Sequence, residues 1–255
     1  MAVFIHEVYR LVKSRLYVAA ILLTAVGSSL LALRLTSVPD FLEPSGIMAF
    51  GMIAGIFVFV AIFCGIFTGL FTADDLNKHV VDNALSVGVS KPRIYFAKLI
   101  GLMLVVFVVA TISVITSIAI MTVIHGWNPG GMVYEQYTLK VLVFYGGMMV
   151  HYFAYASMFT MVAFITRSTA KTAGICAAFP FMEAILGQFV GAGGNNIAVF
   201  ISSNLTGNLI QYAIIERIVA YDLILTGRFL LSVVPSIVII VMTTAVGLLV
   251  FHVRD

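Results

Sequence analysis

Six separated runs of about twenty apolar residues constrain this chain more than any other feature. A hydrocarbon core of about 30 Å is crossed by roughly 20 residues of helix. The runs fall at about residues 17–35, 47–71, 99–124, 140–165, 172–192 and 229–251. A backbone in lipid must satisfy its own hydrogen bonds, and a helix does so within one segment. Only 10% of the 255 residues are charged and 62% are hydrophobic, whereas a soluble domain carries about 25% charged residues. The pattern predicts an all-α polytopic membrane protein, one transmembrane domain over residues 1–255, with no room for a separate soluble unit.

Charge orients the spans, because Lys and Arg accumulate on the cytoplasmic side. Ten of the fourteen, Arg10, Lys13, Arg15, Lys78, Lys91, Arg93, Lys98, Arg167, Lys171 and Arg254, fall on one side of the predicted membrane. Arg34, Lys140, Arg217 and Arg228 fall on the other. Both termini are therefore expected in the cytoplasm. Phe4, Ile5, Val8, Leu11, Val12 and Leu16 recur at helical spacing, with His6, Glu7, Arg10, Lys13 and Ser14 opposite them. Residues 1–16 thus read as an amphipathic helix lying in the inner headgroup region. No small-x-small site follows the first apolar run, so the segment does not read as a cleaved signal.

The second span carries Gly51, Gly55, Gly65 and Gly69, two small-xxx-small pairs on one helix face. Such a face permits close helix packing. Residues 72–98 then form the longest internal loop. Thr72, Ala73, Asp74 and Asp75 resemble a capping box, Leu76, Val80, Ala84 and Leu85 make an apolar stripe, and Gly88 is placed to end a short helix. Ser90 is positioned to cap the next helix, with Pro92 tolerated in its first turn, and that helix continues into the third span. Asp74, Asp75, Lys78, His79 and Asp82 give the loop a solvated face of mixed charge suited to a complementary partner. Residues 193–228 are interrupted by polar residues including Asn195, Asn204 and Gln211, and read as one or two short extracytoplasmic helices, the second over about 209–221.

Several chemistries are excluded. There is no Gly-Lys pair, hence no phosphate loop of the Walker type. There is no Gly-x-Ser-x-Gly elbow, no His-Glu-x-x-His helix and no Cys/His cluster with metal spacing. No catalytic residue, metal or nucleic-acid partner is expected. Cys64 and Cys176 both lie inside predicted spans and read as packing residues.

Residues 75–100 carry Leu85-Ser86, Gly88-Val89-Ser90, a basic pair at Lys91 and Arg93, and Ile94-Tyr95-Phe96-Ala97-Lys98. This stretch is similar to the cytoplasmic signature of bacterial ATP-binding-cassette permeases of the type 2 exporter family, whose layout of six spans and an amphipathic N-terminal helix the chain also resembles. Where many relatives carry Gly-Thr this chain has His79-Val80, and Asp82 replaces a common Lys. The resemblance implies that Asp74, Asp75, Lys78, His79, Asp82, Leu85, Ser86, Gly88, Ser90, Lys91 and Arg93 form a coupling helix and its joint, seated on a separate ATPase. Two ATPase copies, holding ATP and Mg, would drive a pair of permease subunits in the bacterial plasma membrane. This chain itself would hold no cofactor. Small permeases of that family suggest an amphipathic peptide antibiotic or hydrophobic drug as cargo, moved outward.

Ionisable groups at membrane depth are costly and point to function. His151 and Glu183 fall near the midplane of consecutive antiparallel spans, close enough to hydrogen-bond each other, with Pro180 one turn before Glu183. Together with Tyr152, Tyr155 and Gln188 they are candidates for a polar gate or path lining. The alternative function is an ion-driven transporter or channel in which His151 and Glu183 relay protons.

Overall fold

A computed structural model describes residues 2–36, 57–127, 134–191 and 227–253, and every regular element among them is helical. Helix α1 (Ala2–Val12) meets α2 (Arg15–Thr36) at a bend of 59°. Ser14 makes the corner, its Oγ accepting the Tyr17 N–H at 3.1 Å as an N-cap. Helix α3 (Phe57–Phe67) runs through a π-helical turn (Thr68–Ala73) into α4 (Asp74–Asn77). Then follow α5 (Val80–Ser86), α6 (Lys91–His125), α7 (Tyr134–Thr166), α8 (Thr169–Gly191) and α9 (Gly227–Val253).

Four described stretches, Phe59–Asn77, Lys91–His125, Tyr145–Thr166 and Val233–Val253, are long and apolar enough to cross a membrane, and the bent pair α1–α2 makes five. At 1.5 Å per residue, the 35 residues of α6 reach about 52 Å, well beyond the hydrocarbon core. Helix α6 is therefore longer than a span requires and forms one continuous rod. Helix α7 lies at the centre of the bundle, packed chiefly on α9 and also on α3, α6 and α8. Helix α2 packs on α6, and α3 on α8. Only 11% of the α9 span is buried, so that helix is peripheral and turns Val234, Val238, Val241, Met242 and Leu249 outward.

Close contact between α3 and α8 depends on two glycines. A Cβ on Gly65 would lie 2.6 Å from the Cys176 carbonyl carbon, and one on Gly69 would lie 2.7 Å from the Ala173 Cβ. The expected small-residue face is thus a contact within the chain at these two positions. Gly51, Gly55 and the 193–228 segment lie outside the described residues. Cys64 and Cys176 are both free and buried in the core with Phe67, Val109, Tyr152, Tyr155 and Phe159.

Three local expectations are corrected. Thr72 opens no helix: it sits buried inside the π-helical turn, and the helix runs on through Asp74. The loop holds two short helices in place of one, because the chain breaks at Lys78 and His79. On the amphipathic α1 the division into faces is only partly as expected. Leu11 is buried and His6 and Lys13 are exposed, as the pattern predicts, but Glu7 is buried while Ile5 and Val12 are exposed.

Candidate functional site

The π-helical turn closes i→i+5 bonds in place of i→i+4, so it advances less rotation per residue and re-aims the residues that follow. Asp75 consequently points inward, 4% exposed. Arg10 of α1 grips it with both arms, Nη1 donating to Oδ1 at 2.6 Å and Nη2 to Oδ2 at 2.5 Å. This two-point pairing fixes angle as well as distance. Arg10 Nη2 also donates to the Phe71 carbonyl and to Glu7 Oε2, each at 3.3 Å. Its guanidinium carbon lies 5.6 Å from the centre of the Phe71 ring.

Lys98, two turns into α6 and 6% exposed, completes the set. Its Nζ donates to Glu7 Oε1 at 2.7 Å and to Asp75 Oδ2. Two carboxylates and two cations therefore sum to zero net charge, with Glu7, Asp75 and Lys98 buried and the Arg10 side chain half-buried, and such pairing is the condition under which buried charge is tolerated. The quartet pins three separate elements together: the N-terminal helix, the start of the 74–90 loop and the rod of α6. Leu76, Val81, Ile94, Tyr95, Leu99, Phe164 and Phe251 form a second apolar cluster joining the loop to the start of α6 and the C-terminal ends of α7 and α9. Tyr95 reaches Phe164 at 4.9 Å between ring centres, and Phe164 reaches Phe251 at 4.8 Å.

The rest of the loop is set by two backbone positions. His79 has φ of 57°, in the left-handed region, at a cost of about 1–2 kcal/mol for a residue with a Cβ. Its Nδ1 bonds Asp82 Oδ2 at 2.5 Å, a local contact that offsets part of this. Gly88, with φ of 87°, ends α5 in a Schellman arrangement: the Gly88 N–H reaches the Leu85 carbonyl at 2.9 Å and the Val89 N–H the Ala84 carbonyl at 3.1 Å. Ser90 occupies the N-cap position of α6 with an extended backbone, but its side chain makes no capping bond.

The residues singled out from sequence separate into two groups. Asp75 is internal, and Leu85 packs partly buried against the apolar cluster. Asp74 accepts from Lys78 at 2.7 Å and from Thr169 at 3.2 Å, and Ser86 Oγ donates back to the Asn83 carbonyl. Lys91 turns to the end of α9, where Nζ donates to the His252 carbonyl at 3.3 Å. Lys78, His79, Asp82 and Arg93 are exposed. Val80 and Val87, 46% and 79% exposed, join them as an apolar element of the loop surface. The sequence reading had placed Val80 on the buried stripe and had not marked Val87. Their seven-residue spacing, two turns of helix, was the available signal.

At membrane depth, His151 and Glu183 take different partners. His151 Nδ1 donates to the Gly147 carbonyl of its own helix at 2.7 Å, and Nε2 has no hydrogen-bond partner among the described residues. A carbonyl only accepts, so Nδ1 carries the proton. Glu183 Oε2 accepts from the Tyr155 hydroxyl, and Tyr152 is buried in the core. The expected His151–Glu183 hydrogen bond is therefore replaced by Tyr155–Glu183, which ties α7 to α8. The Gln188 side chain lies outside the described residues. Between α7 and α9, Ser157 Oγ meets Thr243 Oγ1 at 2.7 Å and Thr244 Oγ1 at 3.0 Å, a polar seam unmarked in the sequence reading. Among the described residues no group of three His, Cys, Asp or Glu is placed to hold a metal ion. No protein-family model matches this chain, and no curated protein matches it.

Proposed function

We propose that this chain is the permease subunit of an ATP-binding-cassette exporter, with six spans, cytoplasmic termini and the loop 74–90 as the docking element for a separate ATPase. The observation that carries the reading is the quartet Glu7, Arg10, Asp75 and Lys98. A solvated loop with no mechanical task has no need of a largely buried four-charge clamp to the base of a 35-residue helix. A loop that receives force does, because slack between the docking surface and α6 would dissipate the movement. The left-handed joint at His79 and the Gly88 stop give the loop one defined shape. Its exposed residues combine apolar Val80 and Val87 with Lys78, His79 and Asp82, the mixture of apolar and charged groups that a protein interface uses.

In this reading ATP and Mg are held by two ATPase copies, two permease subunits line the path, and an amphipathic peptide or hydrophobic drug moves outward across a bacterial plasma membrane. The proton-relay alternative is disfavoured by the separate partners of His151 and Glu183. Co-purification from the native host tests the proposal. A stoichiometric ATPase is expected, and Val87→Asp, which changes an exposed side chain without touching the quartet, should release it. Purification without an ATPase under conditions that keep the chain folded, or retention of the ATPase by Val87→Asp, would defeat the assignment.

A further inference from the structure

Helix α1 is held on one side and bare on the other. Glu7, Arg10 and Leu11 face the bundle, the first two in the charge quartet and the third buried in the apolar core. On the opposite side Ile5, Tyr9 and Val12 are 57%, 59% and 51% exposed. Their spacing of four and then three residues puts them on one helix face. Lys13 and Arg15, both exposed, stand at the corner where α1 bends by 59° into α2. Beyond the corner α2 turns Val18, Leu22, Leu23, Val26 and Leu30 outward. Two exposed apolar stripes are thus separated by a cationic corner.

No acid balances that corner. Glu7 is the only carboxylate in residues 1–36, and it turns inward onto Arg10 and Lys98. The acids of the 74–90 loop have partners of their own, Asp74 with Lys78 and Asp82 with His79. Lys13 Nζ donates to the Tyr9 hydroxyl at 2.5 Å and lies 4.9 Å from the centre of that ring. These contacts are to a neutral group and leave the ammonium charge uncompensated. Among the described residues Arg15 has no side-chain hydrogen bond and no ion pair.

We propose that this face of α1 docks on a bilayer surface rich in anionic lipid, with Ile5, Tyr9 and Val12 in the acyl boundary and Lys13 and Arg15 on lipid phosphates. The apolar stripe alone would suit any bilayer. The uncompensated cations are what select negative headgroups. The depth agrees, because α2 begins at Arg15, so cations at the mouth of that span stand at headgroup level, where Lys and Arg keep their charged ends out of the hydrocarbon. The docking reaches the quartet through one short helix. An isolated helix of eleven residues is marginal in water, so α1 depends on lipid along its outer face and on Asp75 and Lys98 along its inner one. The inference goes beyond a headgroup-level helix by naming the lipid class; it rests on the bundle being membrane-embedded and needs no ATPase.

The test places the full chain, one copy per nanodisc and without an ATPase, in phosphatidylcholine alone or mixed with phosphatidylglycerol, and follows amide exchange. Exchange over residues 4–16 should slow in the mixture by about fivefold for each of the two cations, with exchange over 105–114 in α6 unchanged. Lys13→Gln/Arg15→Gln should abolish the difference between the lipids, each single variant should keep about fivefold of it, and Lys13→Arg/Arg15→Lys should preserve it all. Tyr9→Ser should speed exchange over α1 in both bilayers. Equal exchange in the two bilayers, or a lipid difference that survives removal of both charges, would overturn the inference. So would protection that appears only with two copies per nanodisc, which would give the face to a second copy of this chain. Because no ATPase is present, such a failure would leave the coupling assignment standing, and co-purification without an ATPase would leave the lipid result standing.

Discussion

Asp75→Asn isolates the contribution of the charge quartet. The carboxylate accepts from two Arg10 nitrogens and from Lys98, so the substitution leaves two cations facing one acid, Glu7. Removing one partner from a buried ion set costs about 3–5 kcal/mol, because an unpaired charge remains in a dry site. The Arg10 side chain is 32% exposed and regains some water, which places the expected loss at the lower end, about 3 kcal/mol. Lys98→Met should cost a similar amount, since it strands a negative charge. The double variant removes one charge of each sign and leaves Arg10 beside Glu7, already 3.3 Å apart. It should therefore cost clearly less than the sum of the singles, with a coupling of about 2 kcal/mol. Reversible unfolding in mixed micelles, followed by circular dichroism, measures all four corners of the cycle. Additive losses within about 0.5 kcal/mol would refute the view that these charges act as one neutral unit. Under the proposed function, both single variants should leave ATP hydrolysis by the partner ATPase with little transport.

Other perturbations separate backbone from packing effects. Gly88→Ala meets open space but must adopt φ of 87°, so it should destabilise the loop by about 1 kcal/mol, visible as faster amide exchange over 80–90 with the bundle unchanged. His79→Gly relieves the same kind of strain and should be neutral to about 1 kcal/mol stabilising, unless the His79–Asp82 bond outweighs it, which the same exchange measurement would reveal. Gly65→Ala places a Cβ 2.6 Å from the Cys176 backbone and should cost about 1–3 kcal/mol by overpacking, measured as a fall in thermal midpoint. Gly174→Ala, with nothing within 4 Å, should leave that midpoint unchanged or raise it.

Much of the architecture was legible because the bilayer imposes a one-dimensional rule. Run length and the scarcity of charge mark a membrane helix without knowledge of its neighbours, and α6 and α9 follow the expected spans closely. The Gly88 stop and the Ser90 restart were equally local, since a positive φ and an extended cap are properties of one or two residues. The π-helical turn after Phe67 had no such mark, and it displaced Thr72 from the role of cap.

The site itself was read only in half. Asp75 was marked as part of a solvated face because a carboxylate in a polar loop usually is one. Its burial depends on Arg10 and Lys98, 65 and 23 positions away, and no local pattern records such a pairing. The same holds for Glu183, whose partner is Tyr155 rather than His151. Amino-acid order by itself determined that this chain forms helices long and apolar enough to cross a membrane and where the loop after the second of them bends, because both follow from solvation and backbone sterics over a few consecutive residues. Tertiary structure alone decided which charges meet, because a neutral cluster forms only when packing brings opposite charges on distant helices to the same depth and removes the water between them.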